Sequence, residues 1–352
     1  MMPPTTATVA LPYDVHVLLI DLVYQLSQHT TIDTATLRAC ALVCRAWRPI
    51  AQRLLFRRVA NSRIALPRLL RSLTTSPRLA DHVLSVSLHL QPHPYMAFIP
   101  ELLLLKLCKC VKAISIDTSS PSGLPDPNRE WWTDALLARM QALALCPELL
   151  SLSCTPAFTR RLARLWPSVR AFEVHALPYG DYTRVPVPEG LESLSLSAPL
   201  DTTNDLSTVR RLELALAPAH AHGVWHHLAQ AGVLLQLRVL VLAEGLPPPD
   251  VLAQLARLKS LAFGRQPVEP VTLPPRLRHV GYHCRVTEPR ADAGNMIAAL
   301  RALPDLRLFT VTCRPPPATL VVLEDMCRDC KVDFSVYEDL EECPRLRHVD
   351  WI

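Results

Sequence analysis

A short apolar motif recurs eleven times between residue 83 and the end of the chain, and this repetition limits the folds that the chain can adopt. Each copy is an apolar residue followed by apolar residues three and five positions later. In an extended segment the last two point to the same side, because side chains alternate along a strand. A spacing of roughly 20 to 40 residues between copies is typical of a solenoid. The copies are Val83/Val86/Leu88, Val111/Ile114/Ile116, Leu149/Leu152/Cys154, Val169/Phe172/Val174, Leu191/Leu194/Leu196, Val209/Leu212/Leu214, Leu237/Leu240/Leu242, Leu258/Leu261/Phe263, Leu277/Val280/Tyr282, Leu306/Phe309/Val311 and Leu346/Val349/Trp351.

Helical patterns lie between these copies, and prolines precede many of the strand segments. A proline just beyond a helix end is expected, since proline cannot continue the helix. The order strand, turn, helix, proline, strand predicts a right-handed α/β coil with a curved parallel sheet, irregular because the repeat lengths vary. The predicted helices are Trp132 to Cys146, Phe158 to Trp166, Gly223 to Ala231, Asp250 to Arg257, Ala291 to Ala302 and Ala318 to Cys330.

The first part of the chain has a different pattern. Residues 1–10 are predicted to be disordered, 11–60 to form a three-helix domain, 61–82 to form a helical connector with a helix from Ala65 to Thr74, and 83–352 to form the solenoid. The spacing of apolar residues predicts one apolar face on each helix. For the first helix these residues are Val15, Leu18, Leu19, Leu22, Val23 and Leu26; for the second they are Leu37, Cys40, Ala41 and Cys44; for the third, which begins near Pro49, they are Ile50, Leu54 and Leu55.

Composition narrows the classes of function. The net charge of +5 is modest, and Arg57-Arg58, Arg160-Arg161 and Arg210-Arg211 are isolated pairs, which indicates dispersed basic residues rather than a nucleic-acid-binding tract. Nine glycines against 33 prolines disfavour glycine-rich phosphate loops. Eleven scattered cysteines, with no recognisable signal peptide or membrane span, favour the cytoplasm or the nucleus.

Catalytic and metal-binding motifs are not found in the sequence. It contains no G-x-G-x-x-G, G-x-x-x-x-G-K-[ST] or G-x-S-x-G, so we expect a binding protein rather than an enzyme, with no cofactor. Cys327 and Cys330 have the spacing of half a zinc site, but no second pair follows, and partly buried helix residues are the simpler interpretation. The histidines between positions 220 and 227 are expected to be exposed. No metal is predicted.

Three segments near the start resemble the F-box family. Leu11-Pro12-Tyr13-Asp14-Val15 resembles the opening Leu-Pro helix of F-box domains, and Leu42-Val43-Cys44-Arg45-Ala46-Trp47-Arg48 resembles the second-half signature. Ala51 to Val59 resembles the closing segment. With the repeats, the whole chain is similar to F-box-like proteins with degenerate leucine-rich repeats, of the type expanded in mushroom-forming fungi.

The resemblance implies a role in recruitment. F-box domains bind the Skp-type adaptor, and through it the cullin, of a cullin-RING (SCF-type) ubiquitin ligase, while the repeats bind a protein substrate. Neither nucleic acid nor a membrane is an expected partner. The residues expected to contact the adaptor are Leu11, Pro12, Val15, Leu19, Ile20, Val43 and Trp47. The same residues can form the domain's own core, which is the favoured alternative for Trp47, whereas contact with the partner is favoured for Leu11 and Pro12.

Residues that alternate with the inward-pointing ones should line the concave face of the sheet, where a substrate would bind. They include Ser85, Ser87, Ser115, Ser153, Glu173, Ser195, Glu213 and His279, with Ser151, Ser193 and Thr310 at equivalent positions. Small serines also let a curved sheet close up on its inner side, so a purely structural role is the alternative for these residues.

Three hypotheses follow. The chain is a substrate receptor of a ubiquitin ligase, or it is a repeat scaffold whose F-box-like segment only caps the solenoid. A nucleic-acid-binding solenoid is the third, and it needs a continuous basic stripe across successive repeats, which the concave positions do not supply. Exposure of Leu11, Pro12, Val15 and Leu19 is expected in a receptor, whereas a cap would bury them against residues 65–79.

Overall fold

The computed structural model of the chain describes residues 13–27, 34–60, 65–90, 99–118, 130–175, 187–197, 206–215, 218–243, 246–264, 272–283, 293–312 and 317–337. Within these ranges the chain is an α/β fold in which twelve strands form one parallel sheet. The strands are β1 (Arg58–Ala60), β2 (Ser85–His89), β3 (Ala113–Asp117), β4 (Leu149–Ser153), β5 (Ala171–Val174), β6 (Ser193–Leu196), β7 (Arg211–Leu214), β8 (Val239–Leu242), β9 (Ser260–Phe263), β10 (His279–His283), β11 (Leu308–Thr312) and β12 (Asp333–Tyr337).

Twelve α-helices and one short 3-10 helix (Val233–Leu235) accompany these strands in the described ranges. The α-helices are α1 (Tyr13–Ser27), α2 (Thr34–Val43), α3 (Trp47–Arg57), α4 (Leu66–Thr75), α5 (Pro77–Ala80), α6 (Ile99–Leu107), α7 (Glu130–Gln141), α8 (Pro156–Ala163), α9 (Pro218–Gln230), α10 (Pro249–Gln254), α11 (Ala293–Arg301) and α12 (Pro317–Asp329). Proline is the first residue of α5, α8, α9, α10 and α12. It suits that position because its φ angle is already helical and its missing N–H would have no partner in the helix.

Each strand pairs with the strands that precede and follow it in the sequence, so the sheet has the order β1 to β12 and is solenoid-like. One face of the sheet packs on the helices. On that face Val86, Ile114 and Leu150 occupy equivalent positions of neighbouring strands, and all three are completely buried. Leu104 and Leu105 of α6 belong to the same hydrophobic core. The α/β solenoid predicted from the recurring motif is therefore confirmed at the level of fold class.

The first ten copies of the motif lie on β2 to β11, as predicted, and the eleventh, Leu346/Val349/Trp351, lies outside the described residues. The position of the motif on β4 is wrong by two residues. Ile114 and Ile116 pair with Leu150 and Leu152, so the first motif position is Pro147 and not Leu149. A shift by two keeps the same face of the strand, because side chains alternate with period two. Ser151 and Ser153 therefore keep their predicted side of the sheet.

Two strands and one helix were not predicted. Strand β1 follows α3 without a break and pairs with β2, so the sheet begins inside the segment that was expected to be purely helical. Strand β12 has no complete motif, because Lys331, with a φ of 58°, stands where the first apolar residue should be. Helix α6 coincides with the apolar run from Leu102 to Leu105, which lacks a clear helical period.

The first three helices have a hydrophobic core of their own. It contains Ile20, Leu37, Cys40, Ile50, Ala51 and Leu54. Helix α1 packs on α2 and α3, while α3 also contacts α5 and β1. On the predicted apolar face of α1, Leu18 and Leu19 are exposed, whereas Val17 and Ile20, which were not assigned to that face, point into the core. The side chains of Leu22, Val23 and Leu26 lie outside the part that the structure describes. Nearly every side of α1 is apolar, so spacing alone does not select the buried side.

No helix in the described ranges combines the length and the apolar character that a membrane span requires.

Candidate functional site

Large hydrophobic side chains are exposed on the three-helix unit formed by α1 to α3. The exposed fraction is 57% for Tyr13, 68% for Leu18, 40% for Leu19, 86% for Leu42 and 63% for Val43. Leu42 and Val43 are the last two residues of α2, and neither belongs to the core of the three-helix unit. Exposed apolar residues gathered on one small unit are typical of a protein-binding surface. We call these five residues the apolar group.

The residues predicted to contact an adaptor divide into four sets. Leu19 and Val43 are exposed and Val15 is half-buried. Ile20 is completely buried in the core of the three-helix unit, so its prediction as a surface contact is corrected. Trp47 is half-buried against the same core, and its ring lies edge-on to His16 with centroids 5.9 Å apart. Leu11 and Pro12 lie outside the described residues.

A row of polar residues crosses the sheet on the face that points away from the helices. Ser87, Ser115, Ser151, Glu173, Ser195 and Glu213 are successive partners in the register from β2 to β7. A second row on the same face carries Ser85 and Ser193, and Ser153 lies one step further along β4. We call this set the serine face. The predicted alternation is thus observed at every one of these positions, and most of them are partly exposed.

Charged side chains interrupt the serine face in pairs. The Arg211 guanidinium donates to the Glu213 carboxylate at 3.0 Å, and His175 Nε2 lies 3.9 Å from a Glu173 carboxylate oxygen. Glu173 and Glu213 flank Ser195, so their Cα atoms are about 10 Å apart, two strand spacings. The centre of the face therefore presents carboxylates and hydroxyls at regular intervals. These groups accept and donate the hydrogen bonds that a bound polypeptide offers.

His279 has a different environment from the serines. Its Nδ1 lies 2.5 Å from Ser260 Oγ and its Nε2 lies 2.9 Å from Thr310 Oγ1, so one ring links three neighbouring strands. The three side chains are buried, His279 with 1% exposure. The prediction of His279 as a substrate-binding residue is therefore corrected, because the ring offers no surface to a ligand in this structure.

The sheet face beyond β7 is closely packed. In the row that continues from Glu213, Val241 and Ala262 are buried, and Gly281 stands beside them. A Cβ added at Gly281 would lie 3.0 Å from Ala262 Cβ and 3.1 Å from Thr310 Oγ1. Small residues are needed here because neighbouring side chains of one row are in direct contact.

Cys327 lies in the last turn of α12, and Cys330 directly follows that helix. Cys327 is buried and Cys330 is exposed. Burial, with the neighbouring Cys330, raises the pKa of Cys327 to about 11, so its thiol is protonated at neutral pH. No group of three or more metal-ligating side chains occurs among the residues that the structure describes. His226 is exposed and interacts with Gln230 at 3.0 Å.

A set of charged residues at the starts of the strands was not predicted from the sequence. The residue before each strand from β3 to β11 is charged: Lys112, Glu148, Arg170, Glu192, Arg210, Arg238, Lys259, Arg278 and Arg307. The signal was present as one charged residue after the first apolar residue of most motif copies. It becomes visible only when the copies are aligned, because neighbours in the sheet are some 20 to 40 residues apart in the sequence.

A scan against protein-family models and a search of curated proteins both found no match for this chain.

Proposed function

We propose that this chain is the substrate receptor of an SCF-type ubiquitin ligase, with the three-helix unit as an F-box-like domain and the repeats as a leucine-rich-repeat-like substrate domain. The observation that carries the proposal is the apolar group on a unit that already has its own core. The core uses Ile20, Leu37 and Ile50, so Leu18 and Leu42 are not needed to hold the unit together.

Exposing these side chains to water is unfavourable. Burying one aliphatic side chain of this size stabilises a complex by about 1.5–3 kcal/mol. A partner helix that covers Leu18, Leu19, Leu42 and Val43 gains this free energy at each residue that it fully buries. The matching partner is a helical adaptor of the Skp type, which the resemblance of residues 11–59 to F-box domains implies.

The substrate side of the proposal rests on the serine face. Hydroxyl groups on β2, β3, β4 and β6 can form hydrogen bonds with a polypeptide without requiring a particular shape, and Glu173 and Glu213 add carboxylate acceptors at the centre, the latter paired with Arg211. The role is that of a binding protein without catalysis. The chain would bind the adaptor in the cytoplasm or the nucleus.

A second candidate function is a capped repeat scaffold. It is favoured by the direct passage from α3 into β1, which places the three-helix unit at the end of the sheet. A solenoid needs such a cap, because its first repeat otherwise exposes apolar surface. A cap alone gives no reason for exposed Leu42 and Val43, since these side chains do not cover the sheet.

The test is capture of the host's Skp-type adaptor by the full chain and by the double variant Leu18→Asp, Val43→Asp. Both positions are exposed, so the variant should fold. The matched control is Val321→Asp, Val322→Asp, which changes two exposed valines of α12 in the same way. We expect the adaptor to bind the parent chain and the control, and the Leu18/Val43 variant to lose at least about tenfold in affinity.

Two results contradict the receptor proposal. One is no adaptor binding by the folded parent chain, which leaves the capped scaffold. The other is equal binding by the Leu18/Val43 variant, which shows that the apolar group does not contact the adaptor.

A further inference from the structure

A single row of charged residues runs along the amino-terminal edge of the sheet, and its two halves differ in net charge. The backbone N–H of each residue donates to the carbonyl of the one before: Arg238 to Arg210 at 2.7 Å, and Lys259 to Arg238 at 2.8 Å. Arg278 and Arg307 continue the row, each at 2.9 Å. The row is therefore a ladder of neighbours across five repeats, at the strand spacing of about 4.8 Å.

The first half of the row is balanced in charge. Lys112 Nζ lies 3.2 Å from a Glu148 carboxylate oxygen, and Arg170 lies 3.5 Å from a Glu192 carboxylate oxygen. Opposite charges alternate here, which is the arrangement that stabilises neighbouring strands.

The second half is wholly basic. Arg210, Arg238, Lys259, Arg278 and Arg307 follow one another without an acidic residue between them, and all five are exposed. We call them the basic ladder. No ion pair within the described part of the chain involves any of these five side chains. Like charges at neighbouring positions destabilise a sheet, so the ladder lowers stability rather than raising it. The expectation of dispersed basic residues is wrong for this edge.

Neighbouring residues reinforce the middle of the ladder. Arg257 and Arg276 are exposed two residues before Lys259 and Arg278. The nearest acidic residue in the equivalent position is Asp305, before Arg307. Seven basic side chains thus lie together with Asp305 among them, and exposed Glu192 and Asp333 lie beside the two ends of the ladder, next to Arg210 and Arg307. The surface carries a net positive charge and attracts a ligand of negative charge.

We propose that the basic ladder binds an acidic segment of a partner protein, with the carboxylates on one face of an α-helix. Carboxylates at helix positions i, i+4 and i+7 lie about 5–6 Å apart, close to the strand spacing of about 4.8 Å. The ladder spans about 19 Å, which matches three to four helical turns of about 5.4 Å. This inference does not depend on the proposed function, because the ladder lies on β7 to β11 and not on the three-helix unit.

A nucleic acid is the weaker match to this surface. Single-stranded nucleic acids bind through aromatic side chains that stack on the bases, in addition to basic residues. Among the residues whose side-chain exposure the structure describes, Tyr13 is the one exposed aromatic residue, and it lies in α1.

The experiment measures fluorescence anisotropy of three probes with the full chain. The first is an alanine-based peptide of about 20 residues with glutamates at i, i+4, i+7 and i+11 on one helical face. The second has the same composition with the glutamates spread around the helix. The third is a single-stranded oligothymidylate of equal charge. We expect the striped peptide to bind at least about fivefold more tightly than the other two, with affinity falling as salt is added.

The variant Lys259→Glu, Arg278→Glu should weaken binding of the striped peptide by about tenfold or more, because two attractions become two repulsions. The control Arg78→Glu, Arg164→Glu changes two exposed arginines elsewhere by the same charge and should leave binding unchanged. Equal binding of the two peptides overturns the proposal that the bound carboxylates lie on one face of a helix. Tighter binding of the oligothymidylate, or no binding of any probe, overturns the proposal, and adaptor capture is unaffected in each case.

Discussion

Reversing one charge within the basic ladder should stabilise the protein. Lys259 lies between Arg238 and Arg278, whose backbones are its direct ladder neighbours. In Lys259→Glu, two like-charge neighbours become two opposite-charge neighbours. Lys and Glu both have low strand propensity, so the backbone preference changes little.

The size of the effect follows from Coulomb's law. Two unit charges about 7 Å apart in water interact by about 0.6 kcal/mol, and screening at 0.15 M salt reduces this to about 0.25 kcal/mol. Two pairs change sign, so the free energy of unfolding should rise by about 1 kcal/mol. Most single substitutions lower it by a similar amount, which makes an increase distinctive.

The assay is urea denaturation followed by tryptophan fluorescence and circular dichroism, in 0.15 M and in 1 M sodium chloride. The gain should nearly vanish at 1 M salt, where the Debye length is about 3 Å. Lys259→Gln, which only removes the charge, should show about half the gain.

Lys112→Glu is the matched control, because Lys112 occupies the same ladder position beside Glu148, at 3.2 Å. Its reversal should lower the free energy of unfolding by about 0.5 kcal/mol. The reasoning is refuted if both reversals have the same sign, or if the gain from Lys259→Glu persists undiminished at high salt.

Three further predictions concern the interior. Phe172→Ala should lower the free energy of unfolding by about 3–5 kcal/mol, because the ring is completely buried; a loss below about 1 kcal/mol in urea denaturation would contradict this packing. Gly281→Ala should lower the free energy of unfolding by about 1–3 kcal/mol, since the added methyl group would lie 3.0 Å from Ala262 Cβ. An unchanged midpoint of urea denaturation would contradict this close packing. Burial, with nearby Cys110, raises the pKa of Cys108 to about 12, so at pH 8 iodoacetamide labelling followed by peptide mass spectrometry should modify exposed Cys110 but not folded Cys108, and equal labelling would count against the burial.

Strands β2 to β11 were predictable because each buries two apolar residues on one face, and this pattern is readable along the chain. Phe172 and Val174 of β5 are an example. Strand β12 was not predictable in this way, because Lys331 occupies its first motif position. The buried face of α1 was uncertain for the opposite reason, since apolar residues surround the helix and packing on α2 and α3 selects Ile20.

The candidate sites differ in how far the sequence determines them. Alternation along a strand is a local property, so the serine face followed directly from the motif. The burial of His279 depends on Ser260 and Thr310, which are 19 and 31 positions away. The basic ladder is likewise a relation between repeats, and the sequence shows it only after the strand register is known.

The order of the sheet has a consequence for how such a chain evolves. Every strand pairs only with its immediate neighbours in the sequence. One repeat can therefore be added or removed as a unit. Duplicating the repeat that contains Lys259 would lengthen the basic ladder by one charge and about 4.8 Å, and deleting it would shorten the ladder by the same step. Unequal recombination between repeats would therefore change the length of ligand that the edge accommodates, without redesigning any core contact.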